Sequence, residues 1–118
     1  MKYFSIIAII VIVTGSSSVR YSAKDAYIRL ENDTTEIIDS EEFGSIQYKI
    51  INNDGIPVLI IHGIVGGYDQ GIQTGISLLP NNQKILSISR FGYLESNIPK
   101  NPTPINQCKA IYRSIRSI

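Results

Sequence analysis

One histidine occurs in the 118-residue chain, and its setting is the first place to look for chemistry. His62 ends the apolar run Val58–Ile61 and begins a glycine loop, in the stretch VLIIHGIVGGYDQG over residues 58–71. A strand that runs into a glycine-rich bend and then into a helix start brings backbone N–H groups against a negative charge. Gly63 permits a tight bend because no Cβ interferes. The N–H of Ile64 would be the donor, and His62 would hold the loop through its ring nitrogens. The plainer alternative is a hydrogen-bonded histidine at a strand end.

Three kinds of charge are possible there. A nucleotide phosphate loop needs Gly-Lys-Ser/Thr at its end. This chain has Gln70-Gly71-Ile72 instead, which excludes that reading. A dinucleotide site needs Gly-x-Gly-x-x-Gly after the strand. The spacing Gly63, Gly66, Gly67, Gly71 is a poor match, although Arg90 falls at the end of the next strand, where a 2′-phosphate could be held. The third is an oxyanion, for which strand, His-Gly and glycine loop are the required order.

Little else in the chain is built for catalysis. Cys108 is the one cysteine, so no intrachain disulfide can form. It lies within a helical pattern without flanking glycines and reads as a small buried apolar residue. The formal net charge of +1 is too balanced for nucleic acid to be the main partner. No cofactor and no metal site is indicated. A composition 43% hydrophobic in 118 residues suits one small globular domain.

The elements that would position these residues can be read by period. Thr34–Asp39 is a short strand candidate. Ser45–Ile51 alternates, with Ile46, Tyr48 and Ile50 on one face, which predicts a half-buried strand. Asn52–Gly55 is a turn. Val58–His62 does not alternate, which predicts a parallel-sheet strand covered on both faces. A helix should run from Tyr68 or Asp69 to about Leu79, with Ile72, Ile76 and Leu79 on its apolar face. Lys84–Ser89 is a fourth strand. Thr103 and Pro104 can cap and begin a last helix, with an apolar stripe of Ile105, Cys108, Ile111, Tyr112, Ile115 and Ile118. Lys109, Arg113 and Arg116 fall on a solvated face. The order is β-β-β-α-β-α, an α/β pattern.

The first residues have a separate character. Lys2 precedes the apolar run FSIIAIIVIV at residues 4–13, and Ser16 and Ser18 follow it. This reads as a secretory signal peptide with a cut after Ser18. The alternative is an uncleaved N-terminal membrane anchor through residues 4–13, a run short of the ~20 residues of a spanning helix. The expected organisation is therefore 1–18 signal peptide or anchor, 19–33 linker or short helix, and 34–118 the domain.

PVLIIHGIVGGYDQG at 57–71, followed by SRFGYLESNIP at 89–99, resembles the start of an α/β-hydrolase. The similarity covers about residues 34–118. It implies an N-terminal part of that family's sheet in the strand order 34–39, 45–51, 84–89, 58–62. It further implies that Ile64 carries the oxyanion N–H, and that Gly63, Gly66 and Gly67 shape the loop. By the same resemblance the segment from Arg90 to Ser96, with Gly92 and Tyr93, lines the mouth of the site. The departure is large: the family's Gly-x-Ser-x-Gly elbow is absent, and so are its acid and its later histidine. The expectation is an N-terminal piece of an exported serine-type hydrolase. It would be inactive alone and would take a small ester-like substrate only if a downstream segment completes it. The alternative is a small exported binding domain without catalysis.

Overall fold

The computed structural model describes residue 22 and residues 24–118. The signal-peptide or anchor reading of residues 1–18 lies outside the described residues. The chain divides into two compact units, Met1–Asp33 and Thr34–Ile118. In the first unit, residues 24–31 are helical. Asn32 closes that helix by donating from its backbone N–H and from Nδ2 to the Ile28 carbonyl.

The second unit is an α/β arrangement. It contains strands β1 (Glu36–Ser40), β2 (Gly44–Ile51), β3 (Val58–Ile61) and β4 (Ile85–Ile88), and helices α1 (Tyr68–Leu78) and α2 (Pro104–Ser117). The four strands form one mixed sheet in the order β1-β2-β4-β3. β1 and β4 both lie antiparallel to β2, whereas β3 and β4 are parallel. The Asn52–Gly55 turn therefore joins strands that are not neighbours. β4 inserts between them because a parallel partner for β3 needs a helical crossover, which α1 provides. β1 and β2 are a true hairpin, with Ser40 opposite Gly44. Gly44 sits at φ +74°, and a Cβ there would lie 2.9 Å from the Asn97 amide.

Strand alternation divides the sheet into two faces. Ile46 and Tyr48 of β2 and Leu86 and Ile88 of β4 form the main core with Phe43, Ala110 and Ile111, so α2 covers this face. The opposite face carries Gln47, Ile85, Ser87 and Ser89, and α1 lies on it. Contact there is close because α1 presents glycines. A Cβ at Gly71 would lie 2.0 Å from Ser87 Oγ, and one at Gly75 would lie 2.6 Å from Ile85 Cδ1.

Three expectations are corrected. β3 is not covered on both faces. It is an outer strand with Leu59 36% and Ile61 45% exposed, and the doubly covered strand is β4, in which all four residues are buried. The buried face of α1 is Tyr68, Gly71, Ile72 and Gly75, and Ile76 is half exposed. Two glycines four residues apart let the helix approach the sheet, and that turns Ile76 outward. Finally, α2 buries Ala110, Ile111 and Ser114, while Ile105, Tyr112, Ile115 and Ile118 are exposed. Cys108 is exposed as well and is not a buried core residue. The apolar stripe is wider than the strip of sheet beneath it, and packing selects only one margin. The helix start is as read: Thr103 Oγ1 accepts from the Asn106 N–H and Pro104 stands at the first turn.

Candidate functional site

The C-terminal ends of the parallel pair, β3 and β4, point the same way, so the segments that follow them meet. His62 joins them. Its Nε2 accepts the Arg90 N–H at 3.0 Å, and its Nδ1 lies 3.0 Å from the Gly63 carbonyl. Since Nε2 must accept, the ring is neutral with its proton on Nδ1, donated to Gly63. Burial holds the His62 pKa below the ordinary 6.5, the Gly63 hydrogen bond opposes that shift, and the nearby Arg90 charge adds to it. His62 is 5% exposed. Both ring nitrogens are engaged, so the side chain is a clamp between two strand ends and not a free base.

The glycine loop is built in two parts. Gly63, Ile64 and Val65 are exposed, with Ile64 at 85%. Among the described residues, no hydrogen bond occupies the Ile64 N–H. Its carbonyl accepts the Tyr93 hydroxyl at 2.6 Å. Gly66, half-buried, and Gly67, buried, form the return to the helix. Gly66 has φ +96°, which a side chain would resist. At Gly67 a Cβ would lie 2.4 Å from Leu94. Asp69 Oδ1 accepts the Gly67 N–H, and Ser89 Oγ accepts the Tyr68 N–H, so the first turn of α1 has acceptors.

The second loop, from Arg90 to Ser96, packs against the first. Gly92 takes φ +75° and Leu94 φ +51°. The Tyr93 ring meets His62 edge-on at 4.5 Å, and the Arg90 guanidinium lies 5.2 Å from its centre. Arg90 and Tyr93 thus stand against His62 and Ile64, and Leu94 against Gly67, whereas Gly92 faces Ile98 and bonds within its own loop.

A buried polar network holds the cluster to the sheet, and no sequence pattern singled it out. Gln47 is its hub. Gln47 Oε1 accepts from the Glu95 N–H and from Ser89 Oγ, and Nε2 donates to Thr35 Oγ1. The Gln47 N–H donates to Ser96 Oγ, which itself donates to the Ser89 carbonyl. The signal was present: Ser87 and Ser89 alternate with Leu86 and Ile88, and Gln47 interrupts an apolar strand. Ser87 Oγ is buried without a hydrogen-bond partner.

The arrangement can offer backbone N–H groups to an anion at an exposed loop tip. Its serine hydroxyls, Ser89 and Ser96, are buried and hydrogen-bonded in the network. Among the described residues, no group of His, Cys, Asp or Glu could hold a metal ion, and no helix is long and apolar enough to cross a membrane. No family model, curated protein or solved structure matches the chain.

Proposed function

We propose that this chain is the N-terminal portion of an exported α/β-hydrolase-type protein, carrying its oxyanion loop and lacking the groups that would generate an oxyanion. One observation carries the reading. Among the described residues the Ile64 N–H has no hydrogen-bond partner, and it lies on the exposed tip Gly63–Val65 of a loop anchored on either side through His62, Asp69, Ser89 and Tyr93. A preorganised donor is what stabilises developing charge without reorganisation. The strand order β1-β2-β4-β3 supports the same reading, as do the two loops meeting at the ends of the parallel strands.

In this account the substrate is a small ester or similar acyl compound, and it binds only when a further segment supplies a nucleophilic serine. The chain alone should not react with a serine-directed fluorophosphonate. Co-expression with a downstream segment bearing Gly-x-Ser-x-Gly should create a labelled serine in that segment. Labelling of the isolated chain would overturn the proposal. Export is tested separately, by fusing residues 1–24 to a reporter. A reporter that remains wholly cytoplasmic would remove that part of the reading.

A further inference from the structure

We propose that the outer edge of β3 is a self-association surface, on which a second copy of this chain pairs antiparallel across a two-fold axis at Ile60. This inference concerns the chain by itself and rests on the sheet and on α2; a further segment that continued the sheet would pair on the same edge and displace the second copy.

The hydrogen-bond directions come first. The Val58 N–H donates to the Lys84 carbonyl, so Val58 and Ile60 direct their backbone groups to β4. Alternation then directs the N–H and C=O of Leu59 and Ile61 outward. Among the described residues, no strand pairs with them. Two such edges are self-complementary. Placing Ile60 opposite Ile60 puts Leu59 opposite Ile61 twice over, and each of those pairs exchanges two hydrogen bonds. Lysine, proline and a bulge, which blunt edge strands elsewhere, are absent from Val58–Ile61.

The side chains fit the same symmetry. Leu59 and Ile61 are in register with Leu86 and Ile88, on the face covered by α2, yet both are substantially exposed. α2 explains why. Arg113 and Ser117 line a groove with Ile38, Asp39 and Ser40, so that flank of α2 faces β1. At 100° per residue, Cys108 and Ile115 lie on the opposite flank, toward β3. Both are exposed. In an antiparallel pair, opposed residues point to one face, so the two α2 helices lie on the same side of a continuous eight-stranded sheet. The four side chains Leu59 and Ile61, two from each copy, form a strip between them. The exposed flank of each helix borders that strip.

The size is consistent with a reversible dimer. These apolar side chains expose roughly 300 Å² per copy, well under the ~800 Å² per partner of a standard interface, so the pair is a weak one. Four backbone hydrogen bonds add to that contact, so the pair should dissociate on dilution.

The test uses the full 118-residue chain. Sedimentation equilibrium should give a mass that rises from one chain to two and stops there. Ile60→Cys, in a Cys108→Ser background, places two cysteines at a non-hydrogen-bonded pair with Cα atoms ~4.5 Å apart, inside the ~4.4–6.8 Å range of disulfides. Mild oxidation should link it at least tenfold faster than Gln73→Cys on the exposed side of α1. Leu59→Pro removes an outward N–H without removing a hydrogen bond to β4 and should yield a monomer that still unfolds cooperatively. Ile61→Lys places a charge on the same edge and should do likewise. If both variants misfold, the cross-linking rate decides. A monomer at every concentration up to ~100 μM, an unlimited rise in mass, or equal cross-linking at positions 60 and 73 overturns the inference.

Discussion

Replacing His62 by alanine should cost much of the stability of the Thr34–Ile118 unit. The side chain makes one hydrogen bond to each strand end. Its loss leaves the Arg90 N–H without its acceptor, which costs about 1–3 kcal/mol. The bond to the Gly63 carbonyl contributes about 1 kcal/mol more, and the edge contact with Tyr93 about 0.5–1.5 kcal/mol. These share one site and water can enter the exposed side, so the net loss should be about 2–4 kcal/mol, against ~5–15 kcal/mol for a domain. With a urea slope of about 1–2 kcal/mol/M, the midpoint should fall by roughly 2 M. His62→Gln keeps an acceptor and should recover part of the loss. The pH dependence gives a second reading. The folded state holds the His62 pKa below the 6.5 of the unfolded chain. The unfolded state therefore takes up a proton first, so the contribution of His62 is fully present above pH 6.5 and is lost as pH falls from there toward the folded value. Urea midpoints between pH 7.5 and 5, above most carboxylate titrations, should decline in the native chain and stay flatter in His62→Gln. A midpoint shift under 0.3 M in His62→Ala, with an unchanged pH slope, would refute the clamp.

Other perturbations test neighbouring contacts. Gly71→Ala should destabilise by about 1–3 kcal/mol, because its Cβ would lie 2.0 Å from Ser87 Oγ. In a Ser87→Ala background the same change should cost less, and a double-mutant cycle in urea measures the difference. Ser87→Ala alone should be neutral or stabilising, since it removes a buried hydroxyl with no partner. Gln47→Leu should cost about 2–4 kcal/mol by leaving the Glu95 N–H and Thr35 hydroxyl unpaired, and hydrogen exchange should quicken across 90–97. Tyr48 is pushed up to about 12 by burial and by its bond to Glu36. Its folded pKa exceeds the unfolded value of about 10, so this stabilisation holds below pH 10 and is lost as pH rises toward 12. Absorbance titration should show Tyr48 ionising late, and Glu36→Gln should bring it earlier.

The fold was legible where a local pattern had one physical solution. Ile46, Tyr48 and Ile50 alternate, and they lie on the α2 face of the sheet. Val58–Ile61 and Ile85–Ile88 are separated by one helix, and a parallel pair is what such a connection forms. Thr103 and Pro104 announced the start of α2. Patterns failed where the outcome depended on what covers a surface. Val58–Ile61 is as apolar as a buried strand, but burial is set by neighbours, and β3 has one. Gly71 and Gly75 carry no hydropathy signal, yet they decide which face of α1 meets the sheet. Ile105 and Cys108 share a stripe with Ile111, but the helix sits with only one margin of that stripe on the sheet. At the site, the loop after His62 was visible as a glycine spacing. The alternation of Ser87 and Ser89 with Leu86 and Ile88 marks polar side chains in β4, but the network through Gln47, Ser89 and Ser96 joins residues up to 49 positions apart, and local spacing does not say which of them meet.

The central claim is that the Ile64 N–H serves an oxyanion when a further segment supplies the serine. The direct measurement is the rate of fluorophosphonate labelling in a co-expressed complex of this chain with an elbow-bearing downstream segment, comparing the native chain with Ile64→Pro, which removes that one N–H. The account predicts labelling of the elbow serine only when this chain is present, slowed about 10²–10³-fold by Ile64→Pro, the effect of losing one oxyanion donor. Equal labelling without this chain, or a rate unchanged by Ile64→Pro while the complex still forms, would contradict it.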